Sequence, residues 1–136
     1  MRWNAIYLLF FLLILISACN NIDMESRKEL NLGIKFLLNN NDKNAIEHFN
    51  KAIEIKPDFA EAFQYRSKVY FAANEKQLAM QDINKAIDLN PNYGEAYKSR
   101  AYYKESAGDR DGACLDYKKA KELGVHNLDN YLKNCP

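Results

Sequence analysis

Charge of one sign is what this 136-residue sequence lacks, since 19 lysines and arginines stand against 18 aspartates and glutamates. That balance excludes a global field for collecting nucleic acid or anionic lipid. Three cysteines are too few for a disulfide-built miniprotein. Only two histidines occur, His48 and His126, and neither has a partner at metal-ligand spacing. Both read as solvated side chains. No phosphate loop, zinc-binding HExxH helix or GxSxG elbow is present. Asp109-Arg110-Asp111-Gly112 begins like a calcium loop but lacks the later acidic positions, and reads as a turn entering a helix. These absences speak against an enzyme and against a metal or other cofactor. No stretch alternates with period two long enough to suggest a strand. The composition, 48% hydrophobic and 27% charged, is that of a folded chain.

The hydrophobic content is unevenly spread. Arg2 is the only charged residue before Asp23, and Ala5–Ile16 is an unbroken apolar run. That run, about twelve residues, is short of the ~20 that span a bilayer. A charged start, a short apolar core and a small-residue end describe a secretory signal. Its last residues, Ile16-Ser17-Ala18-Cys19, resemble the lipobox of bacterial lipoproteins. The resemblance implies cleavage after residue 18 and acylation of Cys19; an uncleaved anchor, or a plain signal with a chance cysteine, is the alternative. Losing residues 1–18 removes Arg2 and no acid, leaving a neutral chain. Two or three acyl chains give stable membrane attachment where one would not. Residues 19–25 are then the lipidated cysteine and a short tether. Asn20–Asp23, fully extended, reach at most ~15 Å, which keeps the domain and any partner near the membrane surface. Asn20 is not the Asp that retains such lipoproteins in the inner membrane of enteric bacteria. The resemblance therefore favours the outer membrane if the cell is Gram-negative.

The remainder is repetitive. Pro57 and Pro91 lie 34 residues apart, in AIEIKPDFAEAF and AIDLNPNYGEAY. The period and contexts resemble the tetratricopeptide repeat (TPR), a pair of antiparallel helices. Aligned on the prolines, the repeats are 26–59, 60–93 and 94–127, and 128–136 resembles the helix that closes such arrays. Position 8 is Gly33, Ser67 and Ala101; position 20 is Ala45, Ala79 and Ala113; position 27 is Ala52, Ala86 and Ala120. Small residues there let helices approach, and Phe49, Ile83 and Tyr117 at position 24 fill the layer between. The expected fold is all-α: a TPR α-solenoid of three helix pairs plus a C-terminal capping helix. The helices are expected at about 24–38, 43–55, 60–73, 76–89, 94–107, 110–123 and 128–134.

Local signals fit the pairs. Asp58 with Glu61, and Asn92 with Glu95, have the spacing of N-terminal caps. Asn40, Asn74 and Gly108 occupy the intra-repeat turns and tolerate left-handed backbone. Two positions depart from the family pattern. Glu29 stands where Phe63 and Tyr97 stand in the later repeats, which fits a polar terminal repeat. Lys104 replaces the aromatic of Phe36 and Tyr70, suggesting a rotated helix or a looser layer. Cys114 and Cys135 both fall in the terminal unit. A disulfide between them and two buried free thiols are both open readings.

The TPR resemblance implies a concave face lined by the first helix of each pair. Carried over by position, the candidate groove residues are Arg27, Leu30, Asn31 and Ile34 from the first repeat; Gln64, Tyr65, Lys68 and Phe71 from the second; and Lys98, Tyr102 and Glu105 from the third. Glu95, Ser99 and Ala72 share the face. The carboxylate clamp of chaperone-tail binders is not met, because Leu30 and Ile34 stand where its Lys and Asn belong. The implied function is a membrane-anchored scaffold or adaptor that binds a protein or peptide in the bacterial cell envelope. The alternative is a structural subunit of an envelope complex with no groove ligand.

Overall fold

The computed structural model describes residues 3–133 and 135, with side chains described from residue 7 except at 15–17 and 19. Among the described residues seven helices follow one another: α1 Trp3–Leu38, α2 Asp42–Ile55, α3 Ala60–Ala72, α4 Lys76–Leu89, α5 Gly94–Ser106, α6 Arg110–Glu122 and α7 Asp129–Leu132. No strand occurs among the described residues. α1 pairs with α2, α3 with α4 and α5 with α6, while the first helices also touch, α1 with α3 and α3 with α5. The small residues make this close pairing possible. Ala45, Ala79, Ala113, Ala52, Ala86 and Ala120 are all buried. Gly33 sits so close to Phe49 that a Cβ added there would lie 2.5 Å from the ring. Phe49, Ile83 and Tyr117 fill the corresponding layers of the three pairs.

Each pair turns through a left-handed residue, with φ of +55° at Asn40, +63° at Asn74 and +86° at Gly108. A short amide or no side chain at all relieves the steric cost of that conformation.

A polar clip also recurs. Arg66 Nε and Nη2 donate to the two Asp82 carboxylate oxygens at 2.7 and 2.8 Å, and its Nη1 donates to Asn50 of the preceding repeat at 2.6 Å. Arg100 does the same to Asp116 at 2.8 and 2.7 Å and to Asn84 at 3.0 Å. Each clip thus ties both helices of one repeat to the second helix of the repeat before. A bidentate guanidinium–carboxylate pair fixes geometry as well as charge.

Several sequence expectations need correction. α1 begins at Trp3 and not near residue 24, so Asn20–Asp23 are helical, and four helical residues rise only ~6 Å, within the ~15 Å bound. No proline or glycine interrupts the stretch, and Ser26 Oγ donates back to the Asp23 carbonyl at 3.1 Å. Residues 7–14 of α1 are exposed. Among the described residues no helix is long and apolar enough to cross a membrane. The lipid site expected at Cys19 falls on a side chain outside the described residues.

Asp58 and Asn92 do not cap α3 and α5. The N-cap residues are Phe59 and Tyr93, without side-chain caps, because the turn after each proline carries the aromatic inward. Glu61 instead meets Arg27 at 2.9 Å. Asn41 and Asp109 do cap their helices, accepting from the Asn44 and Gly112 amides.

His48 is not solvated. Its ring stacks on Phe36 at 5.2 Å and its Nδ1 lies 2.8 Å from a Glu29 carboxylate oxygen. Glu29 and His48 therefore replace an aromatic layer with a polar pair in the first repeat. Nor does Lys104 loosen the third repeat. Its ammonium meets Asp116 at 2.8 Å, while the adjacent Tyr103 turns inward and is buried.

Candidate functional site

Lys68, Phe71 and Ala72 recur at helical spacing on α3, and Glu95, Lys98, Ser99 and Tyr102 do the same on α5. Residues three and four apart share one helix face. Because α3 and α5 lie side by side, these faces line one pocket of about 320 Å³, joined by Tyr103, Tyr117 from α6 and Tyr131 from α7. Of the candidate groove residues, the pocket gathers Lys68, Phe71, Lys98 and Tyr102.

Its wall is aromatic and tightly braced. Phe71 stacks on Tyr103 with centroids 4.3 Å apart and meets Tyr102 edge-on at 5.4 Å. Ser67 donates its single hydroxyl proton to the Gln64 carbonyl at 2.7 Å. The Tyr103 hydroxyl, 3.1 Å from Ser67 Oγ, is then the donor in that contact. Burial pushes the Tyr103 pKa up to about 12, which keeps that proton in place. Beneath the pocket, Gln64 donates to Ser99 Oγ at 3.1 Å and accepts from the Tyr93 hydroxyl at 3.4 Å.

The electrostatics centre on Lys68. Its ammonium lies over the Tyr65 ring at 4.8 Å and makes no ion pair with any described residue. Burial pushes its pKa down, because a half-buried ammonium has lost part of its hydration, and Lys98 pushes the same way against Glu95. Lys98 differs, since Glu95 lies 3.6 Å from it.

The other candidates are placed elsewhere. Leu30 is 1% exposed and belongs to the core with Phe49, because the first helix turns that position onto α2 rather than outward. Ile34 packs partly against the same core. Gln64 is equally buried and does not line the pocket, but it holds Ser99, which does. Arg27 lies over Phe59 while paired with Glu61, and with Asn31 it lines a shallow face of α1 away from the pocket. Tyr65 stacks on Phe49 and supports Lys68. Glu105 accepts from the Tyr117 hydroxyl at 3.0 Å and borders a second, more polar pocket of about 270 Å³ with Arg110, Cys114 and Asn130.

Three lining residues were not legible as groove positions. Tyr103 stands next to the family position, Tyr117 reads as a core residue, and Tyr131 belongs to the closing segment. The structure also joins Cys114 to Cys135 by a disulfide, with Cα atoms 5.6 Å apart.

The tetratricopeptide repeat family model matches residues 31–59 and 60–93. No curated protein matches the chain. Similar solved structures include the first TPR of Spaghetti (RPAP3) bound to the HSP90 peptide SRMEEVD, at 24% identity and a TM-score of 0.74, covering 81% of this chain and 89% of that one. The first TPR domain of human RPAP3 is similar at 24% identity and 0.74, covering 80% and 87%. The Arabidopsis OM64 TPR domain is similar at 21% and 0.73, covering 79% and 91%. At these identities the likeness concerns the fold alone. Helix pairing, recurring small residues and these matches agree on the fold: among the described residues it is that of a tetratricopeptide-repeat α-solenoid, three helix pairs closed by a short terminal helix, and residues 31–93 match the repeat itself.

Proposed function

We propose that this chain is a lipid-anchored, protein- and peptide-binding scaffold of a bacterial cell envelope, acting by capture and not by catalysis. Its ligand is a protein segment with a large apolar or aromatic side chain beside a carboxylate. One observation carries the reading: Lys68, a half-buried cation without an ion pair among the described residues, sits at the rim of an aromatic pocket. Glu95 in the same pocket offsets only part of the cost of holding a cation there, and a ligand carboxylate would offset more. The similar RPAP3 domain holds a peptide, which supports the mode of use.

The energetics connect the pocket to the anchor. Burying one apolar side chain contributes about 1.5–3 kcal/mol. A hydrogen bond to a charged group adds about 1.5–3 kcal/mol. Together these amount to weak binding of a short peptide, near the millimolar range. Confining both partners to one membrane raises their effective concentration and makes weak capture useful. Acylation at Cys19, supported by the Ile16-Ser17-Ala18-Cys19 sequence, supplies that confinement, with the outer membrane favoured if the cell is Gram-negative.

The test is co-purification from solubilised membranes. Lys68→Glu should lose a partner that the unsubstituted chain retains, and Cys19→Ser should release the protein from the membrane fraction. A single stable partner indifferent to Lys68→Glu would instead make the chain a structural subunit. Unchanged membrane attachment of Cys19→Ser would remove the lipid anchor from the account.

A further inference from the structure

The repeats do not enclose the pocket by themselves. One wall is Tyr131, carried on the four-residue helix α7. A helix this short has no stability of its own. Leu128, buried at its start, anchors it to the third repeat, and Leu132 packs there in part. The Lys121–Asp129 pair at 2.8 Å is solvent-exposed and contributes little. Tyr131 itself is 44% exposed and stacks on Tyr117 at 4.8 Å. Past Tyr131, the tie back to α6 is the partial packing of Leu132 and one covalent bond, Cys135 to Cys114. Cys135 lies three residues past the end of α7, and its amide donates to the Leu132 carbonyl at 3.1 Å. Tyr131 and Tyr117 also line the second pocket, so their stacked rings separate the two.

We propose that α7 is a working wall of the binding pocket, set in place by the Cys114–Cys135 disulfide, so that peptide capture depends on the oxidised pair. This rests on the pocket being the peptide site. A dithiol reductant opens the bond by exchange. Its thiolate attacks one sulfur, its second thiol closes onto the first, and Cys114 and Cys135 are left as two thiols while the dithiol becomes a disulfide. Leu128 still holds the start of α7, but nothing covalent keeps Tyr131 on Tyr117. Once those rings part, the aromatic pocket opens into its polar neighbour, water gains access to Phe71 and to the otherwise buried Tyr103, and an apolar side chain gains less by entering.

The experiment titrates the full chain in detergent micelles, by calorimetry, with blocked hexapeptides carrying one Phe beside one Glu. The oxidised chain should bind, and dithiothreitol, Cys135→Ser and Tyr131→Ala should each weaken binding about tenfold. Tyr131→Ala keeps the disulfide, so it decides the matter if reduction or Cys135→Ser costs helical circular dichroism. Equal affinity in the oxidised chain, the reduced chain and Tyr131→Ala would reduce α7 to a simple cap while leaving the peptide site standing. Absence of binding by the oxidised chain would instead overturn the peptide site, and the wall with it.

Discussion

Replacing Asp116 by Asn removes one negative charge and almost no volume from the clip that fixes α5 against α6. The carboxylate is 6% exposed and faces two cations, Arg100 at 2.7 Å and Lys104 at 2.8 Å. Breaking one side of a buried pair costs about 3–5 kcal/mol when the partner charge is stranded. Here Arg100 and Lys104 keep 21% and 26% of their side-chain surface and can recover water, so the cost falls somewhat below that range, about 2–3 kcal/mol. At roughly 4 °C per kcal/mol for a domain of this size, Tm should fall by about 10 °C. Burial pushes the Asp116 carboxyl up, but hydrogen bonds and charge from Arg100 and Lys104 outweigh it and hold it below the ordinary carboxylate value. Its contribution is therefore complete above the unfolded value near 4 and disappears as pH falls through the folded value. Urea unfolding followed by circular dichroism at pH 7 and pH 2 measures both effects. The gap between the parent chain and Asp116→Asn should be wide at pH 7 and narrow at pH 2. A loss below about 0.5 kcal/mol at pH 7, or a gap unchanged by acid, would refute this account of the clip.

Three further outcomes follow from the packing. Gly33→Ala forces a Cβ against the buried Phe49 ring; overpacking of about 1–3 kcal/mol outweighs the gain of about 1 kcal/mol in helix propensity, and thermal melts should show a lower Tm. Reducing the Cys114–Cys135 disulfide, which closes a loop with a sequence separation of 21, should cost about 3 kcal/mol in urea unfolding if chain entropy dominates. Asp82→Asn should cost less than Asp116→Asn in the same assay, because Asp82 faces Arg66 alone whereas Asp116 also holds Lys104.

The helix pairs were legible because the sequence states them repeatedly. Prolines 34 residues apart, alanines at matched positions and turn residues suited to positive φ each point to the same boundaries. What escaped depends on partners distant in sequence. Arg66 with Asp82 and Asn50 spans 16 residues in each direction, and nothing local announces the clip. His48 looked solvated because its partner, Glu29, lies on another helix. Leu30 and Gln64 occupy repeat positions that commonly face outward, yet both are buried, the first in the core and the second bonded to Ser99. Tyr131 could not be read as a pocket wall from sequence, since its place follows from how the closing segment packs on α6. The start of α1 at Trp3 is not legible because no proline, glycine or capping pattern marks a boundary near residue 24.

The central claim is that the pocket between α3, α5 and α7 captures a segment of another envelope protein. Photo-crosslinking in intact membranes, from a crosslinker introduced at residue 102, tests it most directly. The account predicts one dominant adduct whose linked peptide carries a large apolar residue beside Asp or Glu, and its loss in Lys68→Glu. An adduct of unchanged yield in Lys68→Glu, or no adduct from residue 102 while one forms from exposed Leu115 on α6, would contradict it.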